Sequence, residues 1–151
     1  MLDKNKLTQF LLTARTKTYA GDGGKVDPFL KDSAQLEYRE DDWLYRDIFN
    51  QGNGKFIGLE TIYYQNKPVW SLSYYGNYEK MTEKEADEIL RQALMDKWDT
   101  VRLWNNVTYK IGDFTYTNEG SGTIDELEGS EKIEKSGESV YFFYYAGAYI
   151  G

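Results

Sequence analysis

The sequence contains no cysteine and no histidine, and only two prolines. Without a thiol or an imidazole there can be no cysteine nucleophile, no Ser-His-Asp triad, no imidazole base and no Cys/His zinc site. The missing cysteines also exclude disulfides, which fits a reducing compartment. The N-terminal run MLDKNKLTQF lacks the apolar centre of a signal peptide. No stretch reaches the ~20 apolar residues of a membrane span, so the expected location is the cytoplasm, away from a membrane. Positive charge is scarce as well, with 18 Lys and Arg against 25 Asp and Glu and a net charge of −7. The densest lysine run, Lys80 to Lys84, alternates with glutamate. Phosphate binding needs a basic face, so direct nucleic-acid binding is not expected.

Aromatic rings are abundant. They make up 17% of the chain, and fourteen of them are tyrosines. A tyrosine buries a large ring while its hydroxyl demands a partner, so the core is expected to be amphipathic or to line a polar cavity.

The rings recur at a fixed interval. Tyr38, Asp42, Tyr45, Gly58, Glu60, Ile62, Val69, Tyr74, Gly76 and Tyr78 map without a gap onto Tyr109, Asp113, Tyr116, Gly129, Glu131, Ile133, Val140, Tyr145, Gly147 and Tyr149, each 71 residues later. Trp43 and Trp70 become Phe114 and Tyr141, which keeps a ring at each place. An internal duplication explains this pattern better than biased composition does. At 151 residues the expectation is a single domain, 1–151, of two repeats, about 3–78 and 79–151.

Each half opens with a helical pattern. Leu7, Phe10, Leu11 and Ala14 follow the spacing of one buried helical face, as do Ala86, Ile89, Leu90 and Ala93. Thr82 with Glu85 reads as a capping box. Four β-signals follow each helix: Leu36–Arg39, Trp43–Ile48, Phe56–Tyr64 and Val69–Gly76, then Val107–Lys110, Phe114–Asn118, Leu127–Lys135 and Val140–Gly147. The expected fold class is therefore α+β: two tandem α-β-β-β-β repeats with antiparallel sheets and helices packed on them. The halves differ in the Gly-rich segment from Gly21 to Ala34, which is longer in the first half; a tolerated surface insertion is the favoured reading, and an asymmetric function could otherwise sit there.

The segments FLLTARTKTYA, LEYREDDWLYRD, PVWSLSYYG, IGDFTYTNEGSG and YYAGAYIG together resemble a bacterial domain-of-unknown-function family. Its members are found stand-alone or fused behind an XRE-type helix-turn-helix module. The resemblance implies a domain associated with transcriptional regulators and implies no activity. Few residues precede the first helix, so no DNA contact is expected from this chain itself.

Strand alternation gives the sharpest site argument. Leu127, Gly129, Glu131 and Ile133 share the apolar face of their strand, and Phe56, Gly58, Glu60 and Ile62 share the equivalent face. Each half thus points a glutamate inward, among Tyr38, Trp43, Tyr45, Trp70 and Tyr74, or Tyr109, Tyr116 and Tyr145. Asp47 and Asn118 extend that face. Desolvated glutamates beside tyrosines suit a polar ligand or general acid–base work; their retention in both halves favours the other reading, core carboxylates satisfied by tyrosine hydroxyls or an arginine. Arg46-Asp47 becomes Thr117-Asn118, so an ion pair or ligand contact is expected in the first half alone.

Other candidates are weaker. Asp42 and Asp113 fit turn chemistry. The segment Asp22 to Asp27 lacks the ligand spacing of an EF-hand, and Gly120-Ser121-Gly122 has no phosphate-loop lysine and reads as a turn. No metal, cofactor or catalytic residue is expected. The expected function is a non-enzymatic module that senses a small molecule or contacts a protein. The alternatives are a carboxylate-based Glu/Tyr enzyme and an acidic, immunity-like structural partner. Phe142 and Tyr144 replace Ser71 and Ser73, making one outer face apolar enough for an interface, a homodimer among the candidates.

Overall fold

The computed structural model describes all 151 residues. The helix α1 spans Lys4–Lys17, and the strands β1 to β4 span Ala34–Glu40, Trp43–Gly52, Lys55–Tyr64 and Lys67–Asn77. The helix α2 spans Glu83–Asp96, and β5 to β8 span Val107–Ile111, Phe114–Thr123, Glu126–Lys135 and Glu138–Tyr149. The expected α+β pair of repeats, each with its own sheets, is overturned. Only 19% of the chain is helical, and all eight strands lie in one antiparallel sheet ordered β1-β2-β3-β4-β8-β7-β6-β5. The fold is mainly β. The physical reason is the contact between β4 and β8, the last strand of each meander. Left apart, each would expose a row of unpaired backbone groups; pairing them fuses two four-stranded meanders into one sheet.

Strand registers agree across the 71-residue offset. Tyr45 faces Ile62 and Asp47 faces Glu60, while Tyr116 faces Ile133 and Asn118 faces Glu131. Register shifts follow Ile62 in one meander and Ile133 in the other. At the centre Tyr74 lies opposite Tyr145. Three two-residue turns, Asn53-Gly54, Gln65-Asn66 and Ser136-Gly137, have positive φ at both positions, the geometry whose twist matches antiparallel strands. Gly120-Ser121-Gly122, read as a turn, instead lies inside β6, and the chain reverses at Ile124-Asp125.

Both helices cover the face that carries the tyrosines. Asp3 caps α1 by accepting from the amides of Asn5 and Lys6, and Leu7, Phe10, Leu11 and Ala14 turn inward. Thr82 and Glu85 form the reciprocal capping box of α2, whose Ala86, Ile89, Leu90, Ala93 and Leu94 are buried. These side chains meet Trp70, Leu72, Tyr141, Phe143 and their neighbours in one core. Each fully buried Leu or Ile stabilises the fold by roughly 1.5–3 kcal/mol. The opposite face carries no helix and exposes Ile57, Leu59 and Tyr144. No helix is long and apolar enough to cross a membrane.

Candidate functional site

Three acidic side chains from the covered face are buried: Asp47, Glu60 and Glu131 are 6%, 2% and 1% exposed. Burying a carboxylate is costly unless a cation and hydrogen bonds compensate. Two of the three are compensated. Arg15 of α1 donates from Nε and Nη2 to one Glu60 oxygen at 3.1 and 3.0 Å, and from Nη1 to the Arg102 carbonyl at 3.0 Å. Arg102, on the α2–β5 connection, donates from Nε to Glu131 at 3.1 Å, with Nη2 also 3.1 Å from that oxygen. Tyr116 and Tyr141 also donate to Glu131. Burial works against the Arg102 charge, yet Glu131, Tyr141 and Tyr116 hold its pKa well above the usual value. Its guanidinium lies 4.2 Å from the Phe143 ring centroid.

Asp47 has no such cation. Its one hydrogen bond comes from the Tyr74 hydroxyl at 2.5 Å, and no lysine or arginine lies within ion-pair distance. Burial, and then the charge of Glu60 across the strand pair, push its pKa up to about 7 against the pull of Tyr74, Arg102 and Arg15. Gly58 makes the Tyr74 contact sterically feasible, because a Cβ there would lie 2.4 Å from the tyrosine oxygen. In the second half Gly129 serves Tyr145 in the same way, at 2.3 Å.

The two halves diverge here. Around Asn118 the space is filled by the α2–β5 connection. The Asn118 side chain accepts from the Arg102 amide at 3.0 Å and from Tyr145 at 3.3 Å, and donates to the Asn105 carbonyl at 2.8 Å. Tyr145 also donates to the Leu103 carbonyl at 2.6 Å, and Leu103 itself is 1% exposed. The connection comes this close because position 120 is glycine: a Cβ there would lie 2.0 Å from the Leu103 oxygen. The position 71 residues earlier is Phe49, whose side chain lines a cavity of about 360 Å³.

That cavity lies between the strands of the first meander, the α1–β1 connection and α2. Asp47, Phe49, Phe56 and Tyr74 line it from the strands, with Tyr19, Gln35, Tyr78, Lys25 and Val26; α2 contributes Glu83, Asp87 and Arg91, and the α2–β5 connection contributes Arg102. The volume falls in the usual range for small-molecule sites, and the lining mixes aromatic rings with several charged side chains. The longer first-half connection is anchored beside it, with the Glu37 amide donating to the Gly24 carbonyl and the Val26 amide to the Gln35 carbonyl. At the mouth, Tyr19 donates to Asp87 at 2.7 Å, while Arg91 donates to the Tyr19 carbonyl and pairs with Asp22 at 3.4 Å. Burial, then Asp87, raise the Tyr19 pKa. A second void, about 20 Å³, lies between Arg15, Tyr45, Asp47 and Glu60 and has room for one water molecule.

The ten residues singled out from sequence all face the helices but do not form one site. Tyr74 lines the large cavity, while Glu60 and Tyr45 line the small void. Glu131 and Tyr116 belong to the Arg102 network, and Tyr145 is held by Leu103 and Asn118. Tyr38 and Trp43 stack on Phe10, with ring centroids 5.7 and 5.4 Å apart. Tyr109 donates to Asp96, and Trp70 is fully buried with its indole nitrogen unpartnered. Sequence reasoning did not gather Tyr19, Gln35, Asp87 and Arg91 into the site: Tyr19, Asp87 and Arg91 come from helical or connecting segments with no strand alternation to read, and Gln35 lies at the start of β1, ahead of the β-signal that opens at Leu36. The available signals were the Asp47/Asn118 difference and the longer Gly-rich connection of the first half. No group of three or more carboxylates converges to hold a metal ion.

A family model described as a domain of unknown function, DUF5680, matches residues 47–150. No curated protein and no solved structure matches the chain. The matched region covers more than half of the chain, including Asp47, Glu60, Tyr74 and all of the second meander, and the chain belongs to that family.

Proposed function

We propose that this DUF5680 protein is a non-enzymatic binding module for a small organic molecule, which sits in the cavity above Asp47 and Tyr74. The observation that carries the reading is the contrast between the two halves. The space at Asn118 is filled by the protein's own backbone and Leu103, whereas that at Asp47 is left open beside an uncompensated carboxylate. Stability alone does not account for such a carboxylate, because the amide at position 118 fits the equivalent place and is fully paired. The resemblance to bacterial proteins that place this domain behind a helix-turn-helix module supports a sensing role, with DNA contact left to another module. A carboxylate enzyme working through Glu60 and Glu131 draws less support, since arginines occupy both.

The test is a thermal-shift screen against metabolites, with Asp47→Asn and Tyr74→Phe alongside the parent protein. A ligand at ~100 times its dissociation constant adds about 2.7 kcal/mol of stability. Hits that weaken in both variants support the cavity. Hits that ignore both variants overturn it.

A second reading rests on the helix-free face. Ile57, Leu59 and Tyr144 are 60%, 48% and 56% exposed there, beside a Tyr75–Phe142 edge contact with ring centroids 6.0 Å apart. Such a surface suits a protein contact, self-association included. Sedimentation of the parent and a Leu59→Ser/Tyr144→Ser variant tests the homodimer: equal monomer masses across concentration would remove it.

A further inference from the structure

We propose that the ligand of this cavity is an organic cation, an ammonium group on an apolar or aromatic body, with Asp47 as its counter-ion. The proposal rests on the binding reading above and specifies its chemistry. Asp47 is 6% exposed, faces the cavity and accepts only from Tyr74. No lysine or arginine lies within ion-pair distance of it, although Lys25 and Arg102 line the same cavity. Arg15 is committed to Glu60 and the Arg102 carbonyl, Arg102 to Glu131, and Arg91 to Asp22 and Tyr19.

The charge of the lining points the same way. Among the residues that line the cavity, Asp22, Asp47, Glu83 and Asp87 outnumber Lys25, Arg91 and Arg102, within a chain of net charge −7. An anionic ligand would meet this field and then Asp47, and a neutral one would leave the carboxylate unpaired. The rings of Phe49, Phe56, Tyr74 and Tyr78 line the interior, where aromatic faces attract a desolvated cation and pack its apolar body.

Binding should also depend on pH. The groups around Asp47 are Glu60 and Tyr45 on neighbouring strand positions, the Tyr74 hydroxyl, Arg15 from α1 and Arg102 from the α2–β5 connection. Tyr19, Asp87 and Arg91 line the same cavity. With Asp47 raised toward neutrality, an arriving ammonium displaces the carboxyl proton to buffer. Affinity then rises with pH until Asp47 is ionised.

The experiment is isothermal titration calorimetry of the intact chain with phenethylamine and hexylamine. Phenethyl alcohol and 3-phenylpropionate serve as the neutral and anionic counterparts. Measurements are made at pH 6 and pH 8, in two buffers of different ionisation enthalpy. The amines are expected to bind at least tenfold more tightly than the alcohol or the acid. Their affinity should rise about tenfold from pH 6 to pH 8, the change in ionised fraction for a carboxyl titrating near 7. The observed enthalpy should differ between buffers at pH 6. Asp47→Asn should lose the preference for amines, while Tyr74→Phe, which keeps the charge, should retain it. Thermal unfolding of both variants checks that they fold. If the alcohol or the acid binds as tightly as the amines, the cation inference falls and the cavity reading stands. If none of the probes binds, both fall.

Discussion

Replacing Arg15 with methionine removes three contacts at once: two donated to Glu60, at 3.1 and 3.0 Å, and one to the Arg102 carbonyl at 3.0 Å. The pair is buried, with side chains 13% and 3% exposed, so solvent screens little of the interaction. What remains is a buried Glu60 carboxylate that faces Asp47 across the β2–β3 pair and has lost its ion-pair partner. Breaking a buried ion pair from one side costs about 3–5 kcal/mol, whereas an exposed pair is worth about 0–1 kcal/mol. The expected loss is therefore about 3–5 kcal/mol, a fall in Tm on the order of 10 °C for a chain of this size. Guanidinium unfolding followed by the fluorescence of the four tryptophans reads it. The double variant Arg15→Met/Glu60→Gln should recover much of the loss, because no charge is then stranded. A single-variant loss below ~1 kcal/mol would refute the view that Arg15 neutralises a desolvated glutamate.

Asp47→Asn should stabilise the protein, increasingly so with pH. The folded pKa, about 7, lies above that of the unfolded chain, so the fold disfavours the ionised form. The penalty is absent below about pH 4, grows to about pH 7 and is constant above, where it reaches on the order of 4 kcal/mol. Paired denaturation curves at pH 4 and pH 8 measure it; equal differences at both would contradict the assignment. Gly120→Ala should displace the α2–β5 connection, because its Cβ would meet the Leu103 carbonyl at 2.0 Å. Leu103→Ala should cost about 2–5 kcal/mol by opening a void at a 1% exposed position. Both are read by unfolding midpoint, and a neutral result for either would show that the connection does not fill this space. Leu59→Ser on the helix-free face should fall within about 0.5 kcal/mol of the parent if that face is bare in solution.

Much of this arrangement was legible in the chain, through alternation above all. Glu60 and Glu131 stand out as the charged residues in otherwise apolar half-strands, and both do face the helices. Thr82 and Glu85 mark the start of α2 by spacing alone, and the paired reciprocal bonds are present. The sheet's continuity was not legible. Nothing within β4 or β8 says that Tyr74 will lie opposite Tyr145, because that pairing is a contact between distant segments. The arginine partners were equally hidden. Arg15 lies on a helix and Arg102 on a loop with positive φ, and they reach equivalent glutamates from places that are not equivalent in sequence. The cavity was half visible. The longer Gly-rich connection and the change from Asp47 to Asn118 flagged the first half. The exchange of Phe49 for Gly120 admits the filling backbone in the second half only, through packing between segments distant in sequence.

The central claim is that Asp47 alone among the buried acids is left without a cation, and that the cavity above it is where one is received. A ¹³C NMR titration of the Asp47 side-chain carboxyl tests this most directly, first on the protein alone and then with phenethylamine at saturation. The midpoint should lie near 7 for the protein alone and fall once the ammonium is bound. A midpoint near 4 without ligand, the ordinary value for an exposed aspartate, would contradict it.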